Sequence, residues 1–313
     1  MRTSQSNLAG STKADANTLD RRNFVTMCAA GAVAALTPTI GRARNLPRGQ
    51  DARQPLMDDA SGRDTFVLVP GAWHGGWVWR RITPYLRAFG AEVFPVTNTG
   101  LGDRVHLGTR ETNLTTHITD VVNVLECNDL TGVTLVGHSY GGMVISGVAD
   151  RVPRRIAHLV YLDAFLPTAS APTSLFDLAP GAEAATTNLA DRFGNGWQIP
   201  QTYPGDPPTF GVTDTDDIAW LTSHLGPQPL NTFAEKLVLA MPLEARALTR
   251  TYILASIGGG PFPPMYETIK DNPAWLTHLL PTAHDAMVTR PFELARILEG
   301  IAHRETNDAP ASS

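Results

Sequence analysis

The stretch TLVGHSYGGMV, Thr134 to Val144, decides how this chain is read. Strand-forming residues run into Gly137-His138-Ser139-Tyr140-Gly141 and stop, and a helix is expected from Gly141 to Val152, ended by Pro153. A strand that gives way to a helix so abruptly holds residue 139 in a strained backbone conformation, with flanking side chains about to collide. Glycines at 137 and 141 relieve that crowding. The serine hydroxyl is then lifted above the strand end, beside a helix N-terminus whose dipole and free N–H groups favour developing negative charge.

The rest of the chain bounds the options. Its 313 residues are 42% hydrophobic and 18% charged, a globular balance that supports one large core or two modest ones. The net charge of −5 and the lack of any long basic run argue against a nucleic-acid partner. The segment LDRRNFVTMCAAGAVAAL, Leu19 to Leu36, resembles a twin-arginine export signal. It has Arg21-Arg22, Phe24 two places later, and an apolar run too short for a membrane span. Small residues then lead to a cleavage site after Ala43. The resemblance implies a signal over 1–43, the twin-arginine machinery as a partner of the precursor, and a periplasmic or extracellular destination. Of the two cysteines, Cys28 lies in that signal, so the mature chain keeps only Cys127 and forms no internal disulfide. Residues 44–63 read as a disordered polar linker and 304–313 as a disordered polar tail.

From Thr65 onward, short apolar strands alternate with helices. TFVLVP, EVFPVT, GVTLVG, IAHLVYLDA, RTYILAS and WLTHLL read as strands. The segments WVWRRITPYLRAFG, THITDVVNVLECN, PMYETIKDN and RPFELARILEGIAH read as helices. This pattern predicts an α/β domain over 64–303, with a mostly parallel sheet of about six strands buried on both faces by helices. The alternation lapses over about 167–240, which is rich in Pro, Gly, Thr and aromatics. A structureless loop of that length is improbable inside a compact domain, so a mostly helical lid is expected there.

Strand, Gly-x-Ser-x-Gly, helix resembles the nucleophile elbow of the α/β-hydrolase fold. GAWHGGW, GHSYGGM and HDAMVTRP are similar to the branch holding plant methyl esterases and hydroxynitrile lyases, and closer still to bacterial esterases of the carbendazim-hydrolysing kind. The resemblance spans about Thr65 to His303. It implies Ser139 as nucleophile and, as base, His284 in the loop between the last strand and last helix. The other histidines are less suited: His138 adjoins the serine and should point away, His158 lies in a strand, His303 is near the tail, and His106 is in a loop. The acid is expected at Asp163, 24 residues past the serine and closing an apolar strand. A buried carboxylate there is costly unless paired, and a histidine N–H would pair it. The alternative acid position, 28 residues before His284, holds Ser256. Asp271 and Asp285 remain weaker candidates. The oxyanion hole is expected from the N–H groups of Ala72 and Tyr140. Trp73 and His74 from the first loop, and Trp197, Tyr203, Phe210 and Trp220 from the lid, are the expected pocket residues.

The implied activity is hydrolysis of a small apolar or aromatic carboxylic ester, carbamate or amide through an acyl-enzyme, with no cofactor. No Cys/His cluster has zinc-ligand spacing, so no metal is expected. A carbon–carbon lyase on the same scaffold is the first alternative. Lyases of this branch carry a threonine in the first loop and a lysine after the histidine, whereas this chain has Gly71 and Asp285. A non-catalytic ligand receptor is the second alternative.

Overall fold

A computed structural model of the chain describes residues 63–167, 171–201, 210–257 and 260–308. The expected export signal, the linker up to residue 62, Tyr203 and the last five residues of the tail lie outside them. The sheet strands fall where the apolar runs placed them: β1 Thr65–Val69, β2 Glu92–Pro95, β3 Val133–His138 and β4 Ile156–Leu162. Two short lid strands follow, β5 Gln198–Ile199 and β6 Gln228–Pro229, and then β7 Thr249–Ala255 and β8 Leu276–Leu280. The main sheet has the order β2-β1-β3-β4-β7-β8, and all its pairings are parallel.

Successive side chains on a strand point to opposite faces, and both faces are filled. Phe66 and Leu68 of β1, with Val160 and Leu162 of β4, join one apolar cluster, whereas Val67, Val69, Leu159 and Tyr161 join the other. Helices α1 (Thr83–Ala88), α9 (Ala286–Thr289) and α10 (Pro291–Asp308) cover the first face. Helices α2 (Leu114–Cys127), α3 (Gly141–Arg151) and α8 (Phe262–Ile269) cover the second. Helix α2 starts on a capping box: the Asn113 side chain accepts from Thr116 N, and Thr116 Oγ1 accepts from Asn113 N.

Three expectations change. The segment read as one helix from Trp77 is a 3-10 helix, Gly76–Arg81, followed by α1. The break falls just before Pro84, which has no N–H to continue the ladder. Helix α10 runs on to Asp308, beyond residue 304 where the tail was expected to begin. The lid is less helical than expected: α4 (Leu175–Leu178), α5 (Ala182–Phe193), α6 (Thr215–His224) and α7 (Asn231–Ala234) cover about half of its described residues. It also contains the antiparallel β5–β6 ribbon, too short to leave a period-2 pattern in the sequence.

Candidate active site

The elbow is built by steric exclusion. A Cβ at Gly137 would fall 2.6 Å from Gly141 O, and one at Gly141 would fall 2.9 Å from the carbonyl oxygens of Val69 and Pro70. Ser139 between them takes φ +54°, a left-handed conformation that L side chains rarely adopt. Main-chain bonds fix it there: its N–H donates to Leu162 O, and its carbonyl accepts from Gly142 N and Phe165 N. Among the described residues six non-glycines have positive φ. Asp129 and Asn195, types that tolerate that region, are two; the others are Trp73, Ser139, Asp163 and Phe210. Strain of this kind persists where the surroundings over-determine it, and these four residues converge on one end of the sheet.

Asp163 sits just past the end of β4. It is 1% exposed, and its N–H donates to Ile253 O at 2.7 Å. Its carboxylate accepts from Ala255 N at 3.1 Å and from His284 Nδ1 at 2.6 Å. A carboxylate paired in this way only accepts, so Nδ1 of His284 carries the proton and Nε2 holds the lone pair. The His284 ring stacks on Phe262 at 4.7 Å with a 10° interplanar angle, and lies 4.4 Å from the His138 ring, one residue before the serine. His284 N donates to Phe210 O, so the lid also grips the histidine loop. The Ser139 hydroxyl makes no hydrogen bond among the described residues.

The other acid candidates go elsewhere. Asp271 is exposed, as is Ser256. Asp285 neighbours His284 but is fully buried on the other side, 3.4 Å from His74 Nε2 and 3.8 Å from His138 Nε2. Burial pushes its carboxyl up, but the electrostatic pull and hydrogen bonding of the His74 ring, followed by the pull of the His138 and His284 rings, outweigh that and hold it below the usual range. His138 is neutral: burial foremost drives its pKa well down, and its Nε2 donates to His284 O. His138, His284 and Asp285 bring possible ligand atoms within 4.8 Å of one another.

The two residues expected to donate to an oxyanion, Ala72 and Tyr140, are both buried. Ala72 is 4% exposed and Tyr140 is fully buried, and neither N–H makes a hydrogen bond among the described residues. Gly71 lets this loop approach the elbow: a Cβ there would lie 2.9 Å from Ser139 Cβ and from His138 Nδ1. The Tyr140 side chain is pinned from behind. His117 Nε2 donates to Thr99 O at 2.8 Å, which leaves Nδ1 to accept from the Tyr140 hydroxyl at 3.0 Å. Burial lowers the His117 pKa to about 4, which keeps this tautomer neutral.

The expected pocket residues divide. Trp73 is half-buried against Phe210 and Phe233, with its indole N–H on Ile199 O. His74 is a correction. It is 1% exposed, with Nδ1 on Ala72 O and Nε2 facing Asp285, so it braces the loop rather than lining a pocket. Trp197 is half-buried beside Gly108, and its carbonyl accepts from Leu230 N. Trp220 is a second correction: its ring packs on Trp77 and His224 and under Arg80 and Arg81, which makes it a packing residue of the Gly76–Arg81 helix. His106 is exposed. Sequence reasoning missed Phe262, at the start of α8, and Gln228, which carried no signal.

The profile of the alpha/beta hydrolase family matches residues 66–297, and the chain belongs to that family. It is 40% identical to the carbendazim hydrolyzing esterase of Nocardioides sp. (strain SG-4G), over 75% of this chain and 98% of that protein. It is 28% identical to salicylic acid-binding protein 2 of Nicotiana tabacum, over 76% of this chain and 97% of that one. Among solved structures, an extracellular alpha/beta-hydrolase from a Paenibacillus species is similar at a TM-score of 0.66 and 23% identity, over 75% of this chain and 97% of that one.

Proposed function

We propose that the chain is a carboxylic ester hydrolase that works through an acyl-enzyme on Ser139. The observation that carries this reading is the 2.6 Å bond from His284 Nδ1 to the buried Asp163 carboxylate, at the sheet edge where a strained serine is raised. Asp163 fixes the tautomer and steadies the imidazolium; His284 Nε2 takes the serine proton as the hydroxyl attacks the carbonyl. The N–H groups of Ala72 and Tyr140 hold the oxyanion. The leaving alcohol departs with the proton from His284, which then activates the water that frees Ser139. The aromatic rings of Phe210 and Phe262 beside the histidine, with Trp73 against Phe210, support an apolar or aromatic ester, carbamate or amide as substrate. The carbendazim hydrolyzing esterase supports the same direction, because its name gives it an esterase's reaction and it aligns along almost its whole length.

The lyase alternative lacks support here. The residue after the histidine is a buried carboxylate, not a cation that could stabilise a leaving anion. The test is stopped-flow hydrolysis of p-nitrophenyl esters beside mandelonitrile cleavage. The reading expects a nitrophenol burst of about one equivalent per chain. It also expects Ser139→Ala to abolish the burst and lower kcat by at least about 10⁴-fold. Mandelonitrile cleavage without a burst would sink it.

We also infer export by the twin-arginine route, from Arg21-Arg22 and the apolar run that follows. Replacing both arginines by lysine should retain a fused reporter in the cytoplasm. Unchanged export would refute the route.

A further inference from the structure

The peptide joining Ala72 to Trp73 is gripped at both ends. Its carbonyl accepts from His74 Nδ1 at 2.7 Å, and its N–H donates to Oε1 of Gln228 at 2.9 Å. Gln228 comes from the lid, 155 residues along the chain, and is fully buried. Its orientation is fixed by chemistry. Trp73 N–H can only donate, so it faces the amide oxygen. The amide nitrogen donates at 2.6 Å to Thr232 Oγ1, whose own proton goes to Pro229 O at 2.6 Å. Two further bonds tie the same residue to the lid: Gly226 N donates to Trp73 O at 3.0 Å, and the Trp73 indole donates to Ile199 O at 3.2 Å.

This grip coincides with strain. Trp73 holds φ +65°, a conformation a bulky side chain leaves unless neighbours impose it. Release of the Trp73 N–H would let this dihedral relax, rotate the Ala72–Trp73 peptide and re-aim the adjoining Ala72 N–H. The same bond also occupies Trp73 N–H, so Ala72 is left as the first loop's donor beside the serine.

We propose that Gln228 is a positioning residue for the oxyanion hole: the lid sets the transition-state geometry through one amide, in addition to covering the substrate. The inference rests on the acyl-enzyme reading above. Gln228 touches no reacting atom, so its effect falls on steps in which the oxyanion forms and spares ground-state binding.

The experiment compares steady-state p-nitrophenyl ester hydrolysis and fluorophosphonate labelling in the full chain and its variants. Gln228→Leu is expected to lower kcat and the labelling rate about tenfold or more, with KM within about twofold. Gln228→Glu, which keeps an acceptor at Trp73 N–H, should restore most of the loss. Thr232→Val, which frees the far end of the amide, should lower kcat about threefold with the same KM. If Gln228→Leu does not fold, the Thr232→Val contrast decides alone. The proposal is overturned if kcat stays within about twofold of wild type in the deciding variant, if the loss falls on KM, or if Gln228→Glu is no better than Gln228→Leu. A wild-type chain that no fluorophosphonate labels would instead overturn the acyl-enzyme reading.

Discussion

At the elbow, residues 137–142 are held by main chain packed so closely that a Cβ at Gly137 or Gly141 would fall within 3 Å of a carbonyl oxygen. In the lid, the described residues reach the site through hydrogen bonds, among them Gln228 on Trp73 N–H, Gly226 on its carbonyl and Phe210 O on His284 N–H, and through the rings of Phe210 and Phe233. A Cβ at Gly226 would meet nothing within 4 Å. The two regions hold the candidate site by different physics. Steric exclusion at the elbow leaves no freedom and needs particular residue types in sequence. The hydrogen bonds from the lid need one amide in the right place.

The contrast can be broken most severely at the acid. Asp163→Asn forces the wrong histidine tautomer and should lower kcat by about 10⁴-fold, while the exposed Asp271→Asn should stay within about twofold. Steady-state hydrolysis of a single ester separates them, and comparable losses would remove Asp163 from its role. Asp285→Asn probes the buried carboxylate under the elbow. It should cost about 1–3 kcal/mol in urea unfolding, because the buried acceptor facing His74 Nε2 is lost, yet affect kcat far less than Asp163→Asn. The glycines sharpen the regional difference. Gly141→Ala should destabilise by about 1–3 kcal/mol through overpacking, and Gly226→Ala by no more than about 0.5 kcal/mol. Equal values would mean that the elbow is no tighter than the lid.

Acid should loosen the elbow side as well. His117 braces Tyr140 as a neutral ring, with its pKa lowered from the usual 6.5 to about 4. As pH falls below about 6.5 the unfolded chain binds the proton first. Stability is therefore complete above that pH and declines by about 1.4 kcal/mol per unit down to about 4. His138, shifted in the same direction, adds to the slope. Urea midpoints from pH 7 to 5 measure it, and a flat profile would show that neither ring is held neutral.

What could be read from the sequence follows the same division. Gly137, Ser139 and Gly141 were legible because a turn so tight admits few residue types. Asp163 was legible because a carboxylate ending an apolar strand needs a partner, and His284 supplies one. His74 and Trp220 were misplaced as pocket residues because residue type gives no direction. Only packing shows that the first turns inward to Asp285 and the second lies on Trp77. Gln228 was invisible: a lone glutamine in a Pro-rich segment carries no period, and its meaning depends on a peptide 155 residues away.

The chemistry turns on whether Ser139 is an activated nucleophile served by His284 and Asp163. Intact-mass and peptide mapping after treatment with a fluorophosphonate measure this without knowledge of the substrate. One adduct per chain, placed on Ser139 and slowed sharply in both His284→Ala and Asp163→Asn, is the predicted result. An adduct on another residue, or labelling of Ser139 at an undiminished rate in those two variants, would contradict it.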